Sequence, residues 1–439
     1  MNSVFVRSSL GREVPREYSA GLVVGPVSCK ASCGFKHTLD ELLCRPRKPS
    51  RTVESLATLA LAVYIADKSH KRSAAADAWT RDFLLSVPIE EDFVGAVPLL
   101  RGGLEFLSGD VWQVETRIER APIGARTYYD DGFVADAVCL FSGGNDSLTG
   151  AINLLESGLS VALVSHFESG SDARIQRRLA AQLCRRYGSD SVRHRSIQVC
   201  SAISAESSTR ARSFLFIALG LMIASVYGDD VPVYMPENGF VGINAPLTGS
   251  RQGSYSTRTT HPTYLASIRA GLQAASIRHA IINPFSCRSK GETLRSCKNQ
   301  ELLRNLLPLT VSCAKANWVR WKGRPPGTNC GFCYPCLIRR AAMHVIGIDN
   351  PNAYLYDAIG SPEVLQRTTL GRDLRSLLAA VSRYRKSTHS LYVNILKSGS
   401  LSSVEKPSEL VHPVETGLSE VVALVSDKGC SEVKQHAFS

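Results

Sequence analysis

No apolar run in this chain of 439 residues is long enough to cross a bilayer. The longest, Phe214 to Val226, is interrupted at Gly220 and Ser225 and falls short of the ~20 residues a spanning helix needs. It reads as a buried helix. Met1 to Ser9 has no apolar core of a secretion signal, so a cytoplasmic protein without membrane contact is expected. No internal repeat is visible. Acidic residues are in deficit: 39 Asp and Glu stand against 51 Lys and Arg, a formal net charge of +12. Such an excess calls for a phosphate-rich partner. The basic residues are spread out and no recognised nucleic-acid motif is present. A nucleotide therefore accounts for part of the charge, and a nucleic-acid partner stays open. The 13 cysteines are an odd number and mostly scattered. They are expected to be reduced thiols, with any close cluster holding metal.

A content of 44% hydrophobic residues allows a sizeable core, and the length suits two or three domains. Residues 1–130 read as a small α+β accessory domain, with 1–50 poorly structured. Its expected elements are a helix at 52–67, strands at 78–88 and 111–120, and a short helix at 99–107. From 131 to 360 strands alternate with helices: strands at 135–141, 160–165, 195–199 and 231–235, and helices at about 172–187 and 209–227. Repeated βα units imply a parallel sheet with right-handed crossovers, and ligands then bind beyond the carboxyl ends of its strands. Residues 361–439 read as a helical extension with a loop at 397–413 and a frayed tail.

The first of those strands ends in Ser142-Gly143-Gly144-Asn145-Asp146-Ser147, and an amphipathic helix follows. A strand, a turn of small residues and a helix together aim free N–H groups at one point. Two glycines allow close backbone approach, the helix N-terminus adds roughly half a positive charge, and Ser142 and Ser147 add hydroxyls. An anion belongs there. The Gly-Lys-Ser/Thr ending of a Walker A loop is absent.

A second motif is Cys330-Gly331-Phe332-Cys333-Tyr334-Pro335-Cys336, with Cys313 upstream. Four thiolates at this spacing can close a tetrahedral shell around zinc, which makes the metal structural because no position stays open. An iron–sulfur cluster and unconnected core thiols are the alternatives. Arg339 and Arg340 follow on a helix, where they could offset the centre's negative charge. Cys29, Cys33, His37 and Cys44 form a weaker metal-like grouping.

The loop resembles the Ser-Gly-Gly-x-Asp-Ser loop of PP-loop ATP pyrophosphatases. Loop and cysteines together resemble the 7-cyano-7-deazaguanine synthase (QueC-type) family over about residues 135–350. That resemblance implies a parallel sheet of the adenine nucleotide alpha-hydrolase type ending in a zinc knuckle. It also implies ATP-dependent adenylation of 7-carboxy-7-deazaguanine, followed by amidation and nitrile formation with release of AMP and pyrophosphate. The implied cofactors are ATP, Mg2+ and Zn2+. Asp146 would stand near the Mg2+, and Lys290, in Lys290-Gly291-Glu292, would contact phosphate; these two are the candidate catalytic residues. Ser142, Gly143, Gly144, Asn145, Asp146, Ser147, His166 and Arg212 are the candidate ATP contacts.

The chain departs from the family after its second strand, where His166-Phe167-Glu168 stands, and in the substrate loop. There the candidates are Glu237, Asn238, Arg258 and His261. With the added flanking sequence and Trp79-Thr80-Arg81, these features resemble the QatC-type proteins of bacterial anti-phage defence operons, which implies partner proteins from such an operon. Two rival functions stay open: transfer of the activated group to an amine of a partner protein or nucleic acid, and a non-catalytic nucleotide-binding scaffold. Of the four tryptophans, Trp79, Trp112, Trp318 and Trp321, most are expected to be core anchors.

Overall fold

The computed structural model describes residues 2–26, 34–39, 49–120, 123, 132–208, 210–248, 258–325, 327–387, 390–402, 404 and 406–439. Of the weaker metal-like grouping, Cys29, Cys33 and Cys44 lie outside the described residues. Among the described residues three strands precede residue 40: β1 (Asn2–Val6), β2 (Leu22–Val24) and β3 (Phe35–His37). Then come β4 (Asp82–Ile89), β5 (Val111–Ile118), β6 (Ala137–Leu140), β7 (Val161–Phe167), β8 (Val192–Ser201), β9 (Val233–Tyr234) and β10 (Ile281–Ile282).

Four of the strands form one sheet in the order β2-β1-β4-β5, and every pairing in it is parallel. The N-terminal part is therefore α/β, not the α+β module expected. The Val97–Ser108 helix is the crossover between β4 and β5. Residues 2–6 and 22–24 are ordered strands, which corrects the expectation of a poorly structured start. These segments are too short to show a period. Their stability comes from partners far along the chain, such as Ser3 opposite Leu84.

The second sheet has the order β10-β9-β6-β7-β8-β3. Strands β6 to β10 are parallel, and β3 pairs antiparallel with β8 at its edge. The chain starts at β6, moves outward through β7 and β8, then returns to lay β9 on the other side of β6. The direction reverses between β6 and β9. In open α/β sheets such a reversal of strand order is the place where ligands bind.

The two sheets share a core. The Arg51–Ser69 helix, capped by Ser50 Oγ accepting from Val53 N at 3.3 Å, packs on β4 and on the apolar Arg212–Tyr227 helix. One continuous apolar cluster runs from Val4 through Leu56 and Phe214 to Ile281. Position 130 thus separates neither the two sheets, since β3 joins the second from before it, nor two cores. The tail is helical rather than frayed: the Ser431–Phe438 helix buries Val433 and Ala437. Among the described residues no helix is long and apolar enough to cross a membrane.

Trp79-Thr80-Arg81 enters a buried ion network beneath this junction. Arg81 Nη2 lies 2.5 Å from Asp67 and 2.8 Å from Asp110, and Arg72 Nη2 lies 2.7 Å from Asp110. Asp67 also accepts from Ala211 N at 3.1 Å, immediately before the Arg212–Tyr227 helix. Without the Arg81 guanidinium, Asp110 would keep Arg72, but the fully buried Asp67 would keep only Ala211 N and Arg72 Nη2 at 3.7 Å. Arg81→Ala should therefore cost about 3–5 kcal/mol of unfolding free energy. Denaturant titration checks this, and a loss below about 1 kcal/mol, the scale of a surface pair, would contradict the network's role.

Candidate functional site

The loop after β6 is built as its residue types require. Gly143 adopts φ 84°, open only to glycine at ordinary cost, and Gly144 is the N-cap of the Asn145–Leu155 helix without a capping side chain. The first-turn N–H groups of that helix have no intrahelical acceptor. Gly144 N donates to Ser142 Oγ at 3.3 Å, and the hydroxyls of Ser142 and Ser147 lie 3.2 Å apart. Asn145 does not face outward. Its Oδ1 accepts from Thr310 Oγ1 at 2.7 Å and from Arg339 Nη1, which pins the helix start from behind.

Asp146 is the point of convergence. Lys290 Nζ lies 2.8 Å from its Oδ1, and Asn238 Nδ2 donates to its Oδ2 at 2.7 Å. All three are buried. Lys290 follows β10, Asn238 follows β9 and Asp146 follows β6, so the reversal of strand order brings them together. Glu237 adjoins the group, and its Oε2 accepts from Thr259 at 2.6 Å and Thr260 at 2.7 Å. Burial pushes the Glu237 carboxyl above the usual range. The two threonine hydroxyls oppose that shift, Asp146 adds to it and Lys290 opposes it. The result is two carboxylates, one lysine and a helix N-terminus gathered beyond the carboxyl ends of β6, β9 and β10.

Other expected contacts are committed to the scaffold. His166 is fully buried, with Nε2 3.1 Å from Val199 O, while Arg212 Nε donates to its Nδ1 at 3.2 Å. Burial, then the Arg212 charge, lowers its pKa to about 3. This is a neutral ring that orients Arg212, and a ligand cannot reach it. His261 caps the Pro262–Ala274 helix through Nδ1 and sets Nε2 3.0 Å from Ser398 Oγ. Arg258 donates to Phe106 O at 2.8 Å and stacks over the Phe106 ring. His166 and His261 thus have both ring nitrogens engaged within the scaffold, while Arg258 is held by Phe106 through Nη1 and its ring. Their neighbours Thr259 and Thr260 reach Glu237 instead.

Sequence reasoning missed Glu420 altogether. Ser289 caps the Lys290–Arg295 helix in a reciprocal box with Glu292. Behind it, Glu420 accepts from Ser289 Oγ and from Gly291 N at 3.1 Å. It comes from the Val411–Lys428 helix, whose Pro413 and Gly417 pack on the short Gly239–Ile243 helix that Asn238 caps. The C-terminal extension thus holds both the Lys290 and the Asn238 elements. The one available signal was a carboxylate set among Leu418, Val421, Leu424 and Val425.

Cys313, Cys330, Cys333 and Cys336 converge with all four sulfurs within 4.8 Å of one another. Cys330 and Cys336 are 3.7 Å apart, and Cys313 and Cys333 are 4.0 Å apart. Cys333 N donates to Cys330 Sγ at 3.3 Å across the turn at Gly331, which has φ 85° and abuts Tyr356 O. Neighbouring thiols hold Cys313 far below its ordinary range, while burial pushes Cys336 well above it. A cation resolves that conflict by taking all four as thiolates, so the cluster can hold a metal ion. Arg340 does not serve it: Asp349 at 3.1 Å and Asp357 at 2.5 Å neutralise that guanidinium. The cysteine cluster and the loop are joined. Val311 N donates to Gly143 O at 3.0 Å, and Cys336 Sγ sits 3.7 Å from Ser312 O.

No family model matches the chain, and no curated protein matches it significantly.

Burial, followed by the Arg258 charge, lowers the His261 pKa to about 4. Unfolding returns His166 and His261 to the ordinary value of 6.5, so the unfolded chain binds more protons below that value. Their contribution is complete above about pH 6.5 and drains as pH falls toward 4, by on the order of 2 kcal/mol per ring at about pH 5. Thermal melts at constant ionic strength should show Tm falling between about pH 7 and pH 5. A flat Tm would contradict the buried neutral rings.

Proposed function

We propose that the chain is an ATP-dependent, AMP-forming synthase of the 7-cyano-7-deazaguanine synthase type, with a PP-loop, acting on a deazaguanine carboxylate within an anti-phage defence system. The observation that carries the reading is the meeting of Asp146, Lys290 and Asn238 at a helix N-terminus beyond the central strand. A crevice at that place takes a phosphate chain end-on.

In the proposed reaction the substrate carboxylate attacks the α-phosphorus of ATP and pyrophosphate leaves. Ammonia then attacks the acyl carbon and AMP leaves. A second ATP activates the amide oxygen, whose departure with AMP, and loss of the remaining protons, gives the nitrile. The loop N–H groups and Lys290 stabilise the leaving pyrophosphate, while Asn238 keeps the Asp146 carboxylate oriented. Mg2+, when bound, neutralises phosphate charge, and Asp146 with Glu237 would hold it. No side-chain nucleophile is required.

A second reading transfers the acyl group to an amine of a partner macromolecule. It is favoured by the commitment of Arg258 and His261 to Phe106 and Ser398, which leaves the acceptor side of the site undefined by the residues expected to shape it.

With ATP, Mg2+ and 7-carboxy-7-deazaguanine, the full chain should release pyrophosphate. Asp146→Asn should slow that release by about a hundredfold or more, and because it leaves the buried Lys290 ammonium without its carboxylate it should also lower Tm. Absence of release in the unaltered protein, with and without an acceptor, would overturn the reading. Mass spectrometry then separates free nitrile from a mass added to a partner.

For the cysteine centre we propose zinc. A Zn–S distance of ~2.3 Å sets sulfurs ~3.8 Å apart in a tetrahedron, matching the 3.7 and 4.0 Å separations. The metal would be structural. Elemental analysis of purified protein should find one zinc per chain, and Cys333→Ser should lose it and lower Tm. Iron with visible absorption would replace zinc by an iron–sulfur cluster.

A further inference from the structure

Two segments of the chain combine many cations with no carboxylate. Residues 173–189 contain Arg174, Arg177, Arg178, Arg185 and Arg186 and no Asp or Glu. Residues 302–348 contain none either, and their exposed stretch carries Lys315, Arg320, Lys322 and Arg324. The fold makes these one surface. Arg320 Nη1 donates to Ser171 Oγ at 3.3 Å at the start of the Gly170–Tyr187 helix, and Ile175 Cδ1 lies 3.8 Å from where a Cβ on Gly327 would stand. All nine side chains are exposed, and among the described residues none pairs with a carboxylate within 4 Å.

In the middle of the second segment stands Trp321, 83% exposed. Its neighbour Trp318 is used as tryptophans usually are, packed edge-on against Phe332 at 5.5 Å between centroids. Trp321 has no such use. An indole held in water by a folded helix forgoes burial worth on the order of 2 kcal/mol or more. A planar aromatic face beside Arg320, Lys322 and Arg324, none of them paired with a carboxylate among the described residues, matches a ligand that offers flat rings and regular negative charge. Duplexes hide their rings and acidic peptides have none to offer regularly, whereas an unpaired strand exposes both bases and phosphates. The surface borders the loop: a Cβ at Gly143 would stand 3.4 Å from Gln176 Cγ, one residue from Arg177.

We infer that this surface binds a single-stranded nucleic acid, with Trp321 stacking on a base and the arginines of the Gly170–Tyr187 helix contacting phosphates. The inference does not depend on the ATP reading.

The test is fluorescence anisotropy of the full chain with a labelled oligonucleotide of mixed sequence, about 20 nucleotides long, which spans more than one typical single-strand site. Affinity should fall about a hundredfold from 50 to 200 mM salt, as expected for about five phosphate contacts. Trp321→Ala should weaken binding about tenfold. The Arg177→Glu, Arg178→Glu double variant should weaken it at least as much and flatten the salt slope. All these positions are exposed, so Tm should stay unchanged. Three results would overturn the inference: no binding at low salt, variants that bind like the unaltered chain, or competition by polyglutamate as effective as that by unlabelled oligonucleotide. The last would assign the surface to an acidic protein.

Discussion

A carboxylate cannot be buried alone, and much of this structure follows from satisfying Asp146. Its partners, Lys290 and Asn238, lie far from it in sequence. Each of them has to be held. The Lys290 helix is capped by Ser289 and Glu292 and buttressed by Glu420, and Asn238 caps the helix on which Pro413 and Gly417 pack. The last thirty residues of the chain are therefore part of the support of a site that begins at residue 142.

The same dependence runs in the other direction, toward the cysteines. Residues 310–312 hydrogen-bond to the loop on one side and lie against Cys336 on the other, and Arg339 reaches from the helix after Cys336 to Asn145. A metal at the four sulfurs would rigidify the back of the loop without touching any ligand there. The N-terminal sheet adds a third support, because the Arg51–Ser69 helix and the Asp67–Arg81–Asp110 network anchor the start of the Arg212–Tyr227 helix behind β6.

Some of this was legible residue by residue. The loop and the cysteine knuckle are local, and their glycines and spacing carry their geometry with them. The helices at 51–69, 97–108 and 411–428 follow apolar periods in the sequence. What misled were polar residues at a strand end and at a helix start. His166 and His261 have the composition of ligand contacts, and only the packed structure shows their ring nitrogens already engaged by Arg212, Thr263 and Ser398. Trp321 misled in the other direction, because nothing in its neighbours distinguishes it from the packed Trp318.

By itself the sequence determined the parallel α/β character of the central domain, the strand–loop–helix unit at Ser142 and the grouping of four cysteines. Each is read from local patterns along the chain, with Cys313 17 residues before Cys330. Tertiary structure alone decided that β9 returns beside β6, that Asn2–Val6, Leu22–Val24 and Phe35–His37 are strands, and that Glu420 stands behind Lys290. These are contacts between segments tens to hundreds of residues apart. Their free energy comes from burial and from pairing buried charge, and neither leaves a local period in the chain.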